Sequence, residues 1–471
     1  MRYEPVIGLE VHIQLKTKTK LFCSCPVKFG SQPNTNVCPI CLGLPGVLPT
    51  MNEKAVELAI KAGLALNCQI ADFCSFARKH YFYPDLPKGY QITQYTEPIA
   101  YNGFLLVNGQ KISIRRLHLE EDSGKSIHTG QETLVDFNRC GVPLIEIVTE
   151  PEIHSPEQAV AYLETLRQIM RYLDVSDCDM EKGHFRCEPN ISLRPVGQTQ
   201  YGVRTELKNL NSLNSVYLAL EFEIKRQTQI LENNGQVIQE TLYWDEEQKV
   251  AGPMRGKEES EDYRYFPEPD LPILAIKPEK IEAIRKTIPL LPAQRKRILV
   301  EEYNLPEHIA EIIVETKELA DYFEQTIKSC HNYKLVANWL VTEVKAVLKE
   351  KAISIKDFRI TPNDLADLLN MINDKQISGP VAKEIFAEMV ETHKTAKEIV
   401  NAKNLFLIED KELIDKIIDE VLSENTELVS KYKSGKVNVI SFLIGLVVKK
   451  TQGKFSPTLI KERLTEKLNK K

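Results

Sequence analysis

The sequence predicts an α+β domain built on a mixed, mostly antiparallel sheet, followed by an all-α region. Three observations carry that expectation. Up to about residue 289, short segments alternate apolar and polar residues with a period of two, the pattern of strands. Few long helices are expected there, and the two that are read, after Ser155 and from Ser212, carry helix boundary signals. Beyond Pro289 the pattern becomes one amphipathic helix after another.

The first strand runs from Val6 to Leu15. Ile7, Leu9, Val11, Ile13 and Leu15 share one face, and Glu10, His12 and Gln14 share the other. A second strand, Ile112 to Glu121, puts Arg116, His118 and Glu120 on one face and Leu117, Leu119 and Glu121 on the other, and leads into Asp122-Ser123-Gly124-Lys125. A third, Val142 to Glu150, places Glu146 and Glu150 together. One such strand is explained by a sheet with a solvated face. Three, with Lys79, Lys88 and Lys125 nearby in sequence, point to an acidic face that needs cations. Mg²⁺ with bound phosphate suits such a face, because Mg²⁺ takes a few carboxylates plus phosphate oxygens.

Ser155-Pro156-Glu157-Gln158 reads as a capping box with proline in the first helical position. Ala159, Leu163, Leu166, Met170 and Leu173 follow at helical spacing. The second helix spans Ser212 to Leu231 and stops near Asn233-Asn234-Gly235. In the α region, Thr361-Pro362-Asn363-Asp364 starts a helix bearing Leu365, Leu368, Leu369 and Ile372, after a connector from Ile353 to Ile360. Ser456-Pro457 starts the last helix, with Ile460, Leu464 and Leu468 on one side. These signals predict three domains, at 1–289, 290–355 and 361–471.

A chain of 471 residues exceeds one compact core. Hydrophobic content of 42% and charged content of 27% are those of a soluble protein. A net charge of −5 excludes a global nucleic-acid footprint, but residues 431–471 hold eleven Lys/Arg against Glu462 and Glu466, a local +9 that suits a polyanionic partner. No secretory leader precedes Val6, and the longest apolar run, near Ile440 to Val448, is too short to span a bilayer. A cytoplasmic location is expected, where ten cysteines would not form a disulfide framework.

Cys23-Ser24-Cys25 and Cys38-Pro39-Ile40-Cys41 are separated by twelve residues rich in turn formers. Four thiolates at this spacing can enclose one structural Zn²⁺ and leave no open coordination position. The stretch Arg78 to Gln91 concentrates basic and aromatic residues, including Lys79, Tyr81 and Lys88, of the kinds that bind phosphate and stack on a base. No Walker A motif, kinase glycine loop or Gly-x-Ser-x-Gly elbow is present, so an ATP site here needs another design.

The chain resembles the GatB/GatE family of tRNA-dependent amidotransferases. The resemblance lies in Val6–His12, Arg78–Gln91, Leu117–Lys125, Pro143–Val148, Glu206–Ser212, Asp262–Asp270 and the tail from Gly435 to Pro457, and covers essentially the whole length. It implies a cradle-type N-terminal catalytic domain, a helical domain and a YqeY-like helical tail. It also implies a heterotrimer in which this chain joins an amidase (GatA-type) and a small third protein (GatC-type). The activity implied is ATP- and Mg²⁺-dependent phosphorylation of the side-chain carboxylate of Glu-tRNA(Gln) or Asp-tRNA(Asn), then amidation by ammonia that the amidase releases from glutamine. The alternative is a non-catalytic tRNA-binding scaffold. Glu10, His12, Glu120, Glu121 and Glu146 are the expected metal contacts. Lys79, Tyr81 and Lys88 are expected at the nucleotide and ammonia-entry region, Lys125 as a further phosphate clamp, and Lys449, Lys450 and Lys454 on the tRNA backbone. One departure is Glu188, in His184–Asn190, where the family carries Asp.

Overall fold

The computed structural model describes residues 2–130, 132–254, 263–403, 405–407, 410–434, 436, 438–451 and 455–469. Lys454 and Asp262, both named above, lie outside the described residues. The chain divides into two units, Met1–Leu291 and Pro292–Lys471.

In chain order the first unit holds β1 (Tyr3–Gln14), α1 (Glu53–Ala65), β2 (Gln69–Ile70), β3 (Phe73–Cys74), β4 (Ala77–His80), β5 (Tyr90–Thr93), β6 (Ala100–Val107), β7 (Gln110–Glu121), β8 (Lys125–His128), β9 (Thr133–Asp136), β10 (Pro143–Thr149), α2 (Pro156–Tyr172), β11 (Phe185–Pro195), β12 (Thr205–Lys208), α3 (Leu213–Glu232), β13 (Glu240–Asp245), β14 (Val250–Pro253), β15 (Phe266–Pro267), β16 (Leu274–Ala275) and α4 (Pro278–Arg285). Twelve strands form one sheet along the path β14-β13-β12-β11-β1-β10-β7-β5-β4-β15, with β6 also on β7 and β2 on β6. Its pairings are antiparallel except β12 with β13.

Period-two alternation decides what each sheet face carries. Ile7, Leu9, Val11 and Ile13 of β1 are buried with Leu117 and Leu119 of β7, Ile145 and Ile147 of β10, and the apolar faces of α1, α2 and α3. Helices therefore cover one face, and the other carries the charged side chains. The β6–β7 hairpin turns through Asn108-Gly109, both with positive φ, which suits the right-handed twist of the paired strands.

Two local expectations change. Ser155 caps α2 by accepting the Gln158 N–H (3.1 Å), but the Gln158 side chain accepts from the His154 N–H (2.8 Å), one residue before the cap, so the box closes on its neighbour. The β10 register shifts between Val148 and Thr149. Arg115 of β7 is left unpaired in the ladder there, and Glu150, one residue past β10 and outside the large cavity's lining, meets the Arg115 guanidinium at 2.7 and 2.9 Å.

The second unit is helical. The helix Pro362–Asn373 opens with a reciprocal Thr361–Asp364 capping box. One core runs from Leu299 to Val400, continuous across the 353–360 connector, where Ile360 is buried and its carbonyl accepts from the Tyr322 hydroxyl. A second core gathers Ile414, Ile418, Leu443, Val447, Ile460, Leu464 and Leu468.

Candidate active site and cysteine cluster

The antiparallel register brings the polar side chains of five strands side by side. His12 of β1 lies opposite Glu146 of β10 and Arg186 of β11, and Glu146 lies opposite His118 of β7. Two residues along, Glu10 lies opposite Glu188, and Asn190 opposite Glu206 of β12. Such cross-strand neighbours hold their Cβ atoms about 4.5–5.5 Å apart. The face lines an open cavity of about 1140 Å³, which also takes in Lys79, Tyr81, Asp122, Lys208, Tyr263 and Tyr265.

Two carboxylate clusters share this cavity. In the first, His12 Nε2 is 3.3 Å from Glu146 Oε2 and 4.0 Å from Glu120 Oε1. His118 Nε2 is 3.5 Å from Glu146 and 3.9 Å from Glu120. The buried His118 Nδ1 has no hydrogen-bond partner among the described residues. In the second, Glu10, Glu188 and Glu206 bring carboxylate oxygens within 4.8 Å of one another. Asn190 donates to Glu10 (3.3 Å), and Lys208 Nζ sits 2.8 Å from Glu188 and 3.4 Å from Glu206.

The electrostatics are those of a crowded, desolvated acidic face. Burial raises the carboxyl pKa of Glu10, and the charges of Glu146 and Glu188 raise it further. Burial alone would push His12 down, but Glu146 and Glu188 outweigh it and lift its pKa to about 9. Glu120 and Glu146 are pushed up by burial and pulled below the ordinary range by His118, Lys79 and His12. Glu188 is likewise opposed by burial, yet Lys208 and His12 hold it at about 2. Asp122, buried between Arg186 (3.1 Å), Arg139 (3.7 Å) and the Gln14 amide (2.9 Å), stays below the usual carboxylate range.

Lys79 lines the cavity, its ammonium 4.8 Å from the Tyr263 ring centre. Tyr81 donates to Gln91 Oε1 (3.0 Å), and Tyr95 stacks on Tyr265 at 3.9 Å, so aromatic planes border the same space.

Glu10, His12, Glu120, Glu146, Lys79 and Tyr81 are thus brought together. Lys88 and Glu121 lie on the other side of the sheet as a buried ion pair, with Glu121 also accepting the Ile92 N–H (2.9 Å). They border a small cavity of about 80 Å³ shared with Lys20, Cys41 and Gly43. Lys125 is exposed in the β8–β9 hairpin, outside the large cavity's lining. Lys449 is exposed, and Lys450 pairs with Glu420 and Glu424 at 3.0 and 2.8 Å. His118, placed beside Glu120 on its strand face by alternation, joins the site, and so do Asp122, Arg186, Glu206 and Lys208, which had no role assigned from the sequence. Their signal is period-two charge, in Arg186/Glu188/Asn190 and Glu206/Lys208, visible once those segments are read as strands.

The sulfurs of Cys23, Cys25, Cys38 and Cys41 lie within 4.8 Å of one another. Tetrahedral Zn–S bonds of about 2.3 Å place sulfurs roughly 3.8 Å apart, so this set fits one zinc ion. The two cavity clusters fit divalent cations as well: Glu10, Glu188 and Glu206 offer oxygen alone, and His12, Glu120 and Glu146 add an imidazole.

The family model for the GatB/GatE catalytic domain matches residues 5–282, and that for the GatB domain matches residues 321–468. The chain is 50% identical over 479 residues to the B subunit of the aspartyl/glutamyl-tRNA(Asn/Gln) amidotransferase of Caldicellulosiruptor bescii, covering 100% of both chains. It is 48% identical to the protein of that name from Carboxydothermus hydrogenoformans (99% of each chain) and 49% identical to that from Persephonella marina (99% of this chain, 100% of the relative). With both models and full-length relatives in agreement, the chain belongs to the GatB/GatE family.

Proposed function

We propose that this chain uses ATP to activate, and ammonia to amidate, the side-chain carboxylate of Glu on tRNA(Gln), Asp on tRNA(Asn), or both. The observation that carries the reading is the convergence of two acidic clusters with Lys79, Arg186 and Lys208 in one cavity. The names of its full-length relatives agree with it.

A carboxylate is a poor acyl donor, and phosphorylation supplies a leaving group. A substrate carboxylate oxygen bonds to the γ-phosphorus of ATP and ADP departs. The nitrogen of ammonia then bonds to the acyl carbon, a proton is lost, and inorganic phosphate departs. This chemistry needs positioning and charge neutralisation more than a protein nucleophile, in keeping with the absence of a serine elbow. His12, Glu120 and Glu146 would hold one Mg²⁺, and Glu10, Glu188 and Glu206 a second. Bound there, Mg²⁺ neutralises phosphate oxygens. Lys79, Arg186 and Lys208 add fixed positive charge around the transferred group, and the tyrosines at 81, 263 and 265 offer planes for a base.

The chain works within a heterotrimer, beside a GatA-type amidase that releases ammonia from glutamine and a small GatC-type protein. Lys88, on the opposite side of the sheet, belongs to the ammonia-entry region. Lys449, Lys450 and Lys454 of the basic tail contact the tRNA backbone, reading charge and shape. The four cysteines hold a structural Zn²⁺. No helix among the described residues is long and apolar enough to cross a membrane, which suits a cytoplasmic translation enzyme.

The test is conversion of Glu-tRNA(Gln) to Gln-tRNA(Gln), and of Asp-tRNA(Asn) to Asn-tRNA(Asn), by the complex with ATP, Mg²⁺ and ammonium chloride. Wild type is compared with Glu10→Ala and Glu146→Ala, and tRNA affinity is measured for each. Conversion by wild type alone at equal affinity is the expected result. Equal conversion by the variants would move the chemistry elsewhere and leave this chain a scaffold.

A further inference from the structure

We propose that Lys20 is the buried counter-charge of the metal–thiolate cluster, a positioning residue that favours the metal-loaded knuckle over the empty one. This rests on reading Cys23, Cys25, Cys38 and Cys41 as a metal site.

Lysine is almost never fully buried without an anionic partner. Lys20 has 0% exposure. Its ammonium carries three donors, and its acceptors are the Phe137 carbonyl oxygen at 3.2 Å and Cys41 Sγ at 3.5 Å. Glu121 Oε1 is taken by Lys88 and the Ile92 N–H, and no ion pair joins Lys20 to a carboxylate among the described residues. Gly141 packs into the gap between these groups. A Cβ there would lie 3.4 Å from Lys20 Cδ, 3.6 Å from Cys41 Cβ and 3.7 Å from Glu121 Oε2. The Cys41 sulfur is therefore the potential anion within hydrogen-bond reach of Lys20, with Glu121 Oε2 across the gap.

The backbone fixes this placement. The Lys20 N–H donates to the Cys25 carbonyl (3.0 Å), and the Leu21 N–H to the Gly141 carbonyl (2.8 Å). The Cys38 N–H reaches Cys41 Sγ at 3.2 Å, so one sulfur receives two donors while its own ligand loop stays closed.

The charge balance gives the consequence. Four thiolates around one divalent ion carry a net 2−, which the Lys20 ammonium offsets in part. Metal binding releases protons from its ligands, so the empty knuckle carries less negative charge and leaves Lys20 less to offset. Removing the Lys20 charge should therefore weaken the loaded knuckle more than the empty one. A side chain that merely filled space would weaken both equally.

The experiment uses the full chain, loaded with Zn²⁺ or Co²⁺, as wild type, Lys20→Met, Lys20→Gln and Lys20→Arg. Metal transfer to a chromophoric chelator gives affinity, the Co²⁺–thiolate charge-transfer band reports sulfur donation, and thermal unfolding is followed with and without metal. Lys20→Met, which keeps the stem, should lose about 10–100-fold in metal affinity, the range for outer-shell partners of a metal site, and shift the Co²⁺ band. Lys20→Arg should recover much of the loss. The melting temperature of Lys20→Met should fall further when loaded than when empty. If Lys20→Met does not fold, Lys20→Gln and Lys20→Arg carry the same comparison. Wild-type affinity in the Met and Gln variants, or equal destabilisation of both states, overturns the role given to Lys20. Absence of metal binding by the wild type overturns it together with the metal reading of the cysteines.

Discussion

Glu120 and Glu121 are both buried, at 4% and 2% exposure, yet one backbone step sends them to opposite sides of β7. Glu120 meets His118 and His12 in the large cavity, whereas Glu121 meets Lys88 behind the sheet. The two should respond differently to substitution. Lys88→Met leaves a buried carboxylate unpaired and should cost about 3–5 kcal/mol of stability, with Lys88→Met/Glu121→Leu recovering most of it; denaturant unfolding of the full chain reads both. Glu120→Gln should keep the melting temperature within a few degrees and abolish amidation, measured on the same preparation. Alternation alone assigned these side chains to their faces. It could not assign their partners, because Lys88 and Glu121 are 33 residues apart and meet only through the β5–β7 pairing. Glu188 shows the same limit. Its segment reads as alternating charge, but its place beside Glu10 and Glu206 depends on the β1–β11–β12 register.

At the scale of the element, helix starts were the clearest features of the sequence, because a cap is a local exchange between a side chain and the next few N–H groups. Ser155, Ser212 and Thr361 each accept an N–H from the first helical turn, although Gln158 does not return the bond to Ser155. Thr361→Ala should cost about 1 kcal/mol, seen in denaturant unfolding of the helical unit. The register shift between β7 and β10 was not legible. Where it falls, the Leu9 N–H donates to the Thr149 hydroxyl (2.9 Å) instead of a ladder carbonyl, and Glu150 lies outside the cavity's lining. No hydropathy pattern marks a side chain that stands in for backbone. Thr149→Val keeps the shape and removes that acceptor, so it should cost about 1–3 kcal/mol. The accompanying loss of order beside Glu10 should appear as faster amide exchange at Leu9.

At the scale of the molecule, the change in pattern after Pro289 lies beside the division between Met1–Leu291 and Pro292–Lys471. Each unit has its own apolar core, so the chain should melt in more than one transition, and the fragment 1–291 should fold alone. Calorimetry of the chain and of the fragment checks both. With the proposed metal on Cys23, Cys25, Cys38 and Cys41, chelation should lower only the transition of the first unit, because its binding free energy would add to that fold alone. The helical half shows why domain borders are harder to read than helices. The 353–360 segment reads as a connector between helices, yet Ile360 is buried in a core shared by helices on both sides of it.

The opposed glutamates of β7 also set a parity rule on how this chain can drift over generations. Adding or losing one residue between Lys111 and Leu119 would exchange the two acids, sending the cavity's glutamate to Lys88 and the lysine's partner into the cavity. Insertions along that stretch should survive only in pairs or escape into the Asn108-Gly109 turn, and a scan of single-codon insertions scored for growth would record that rhythm directly.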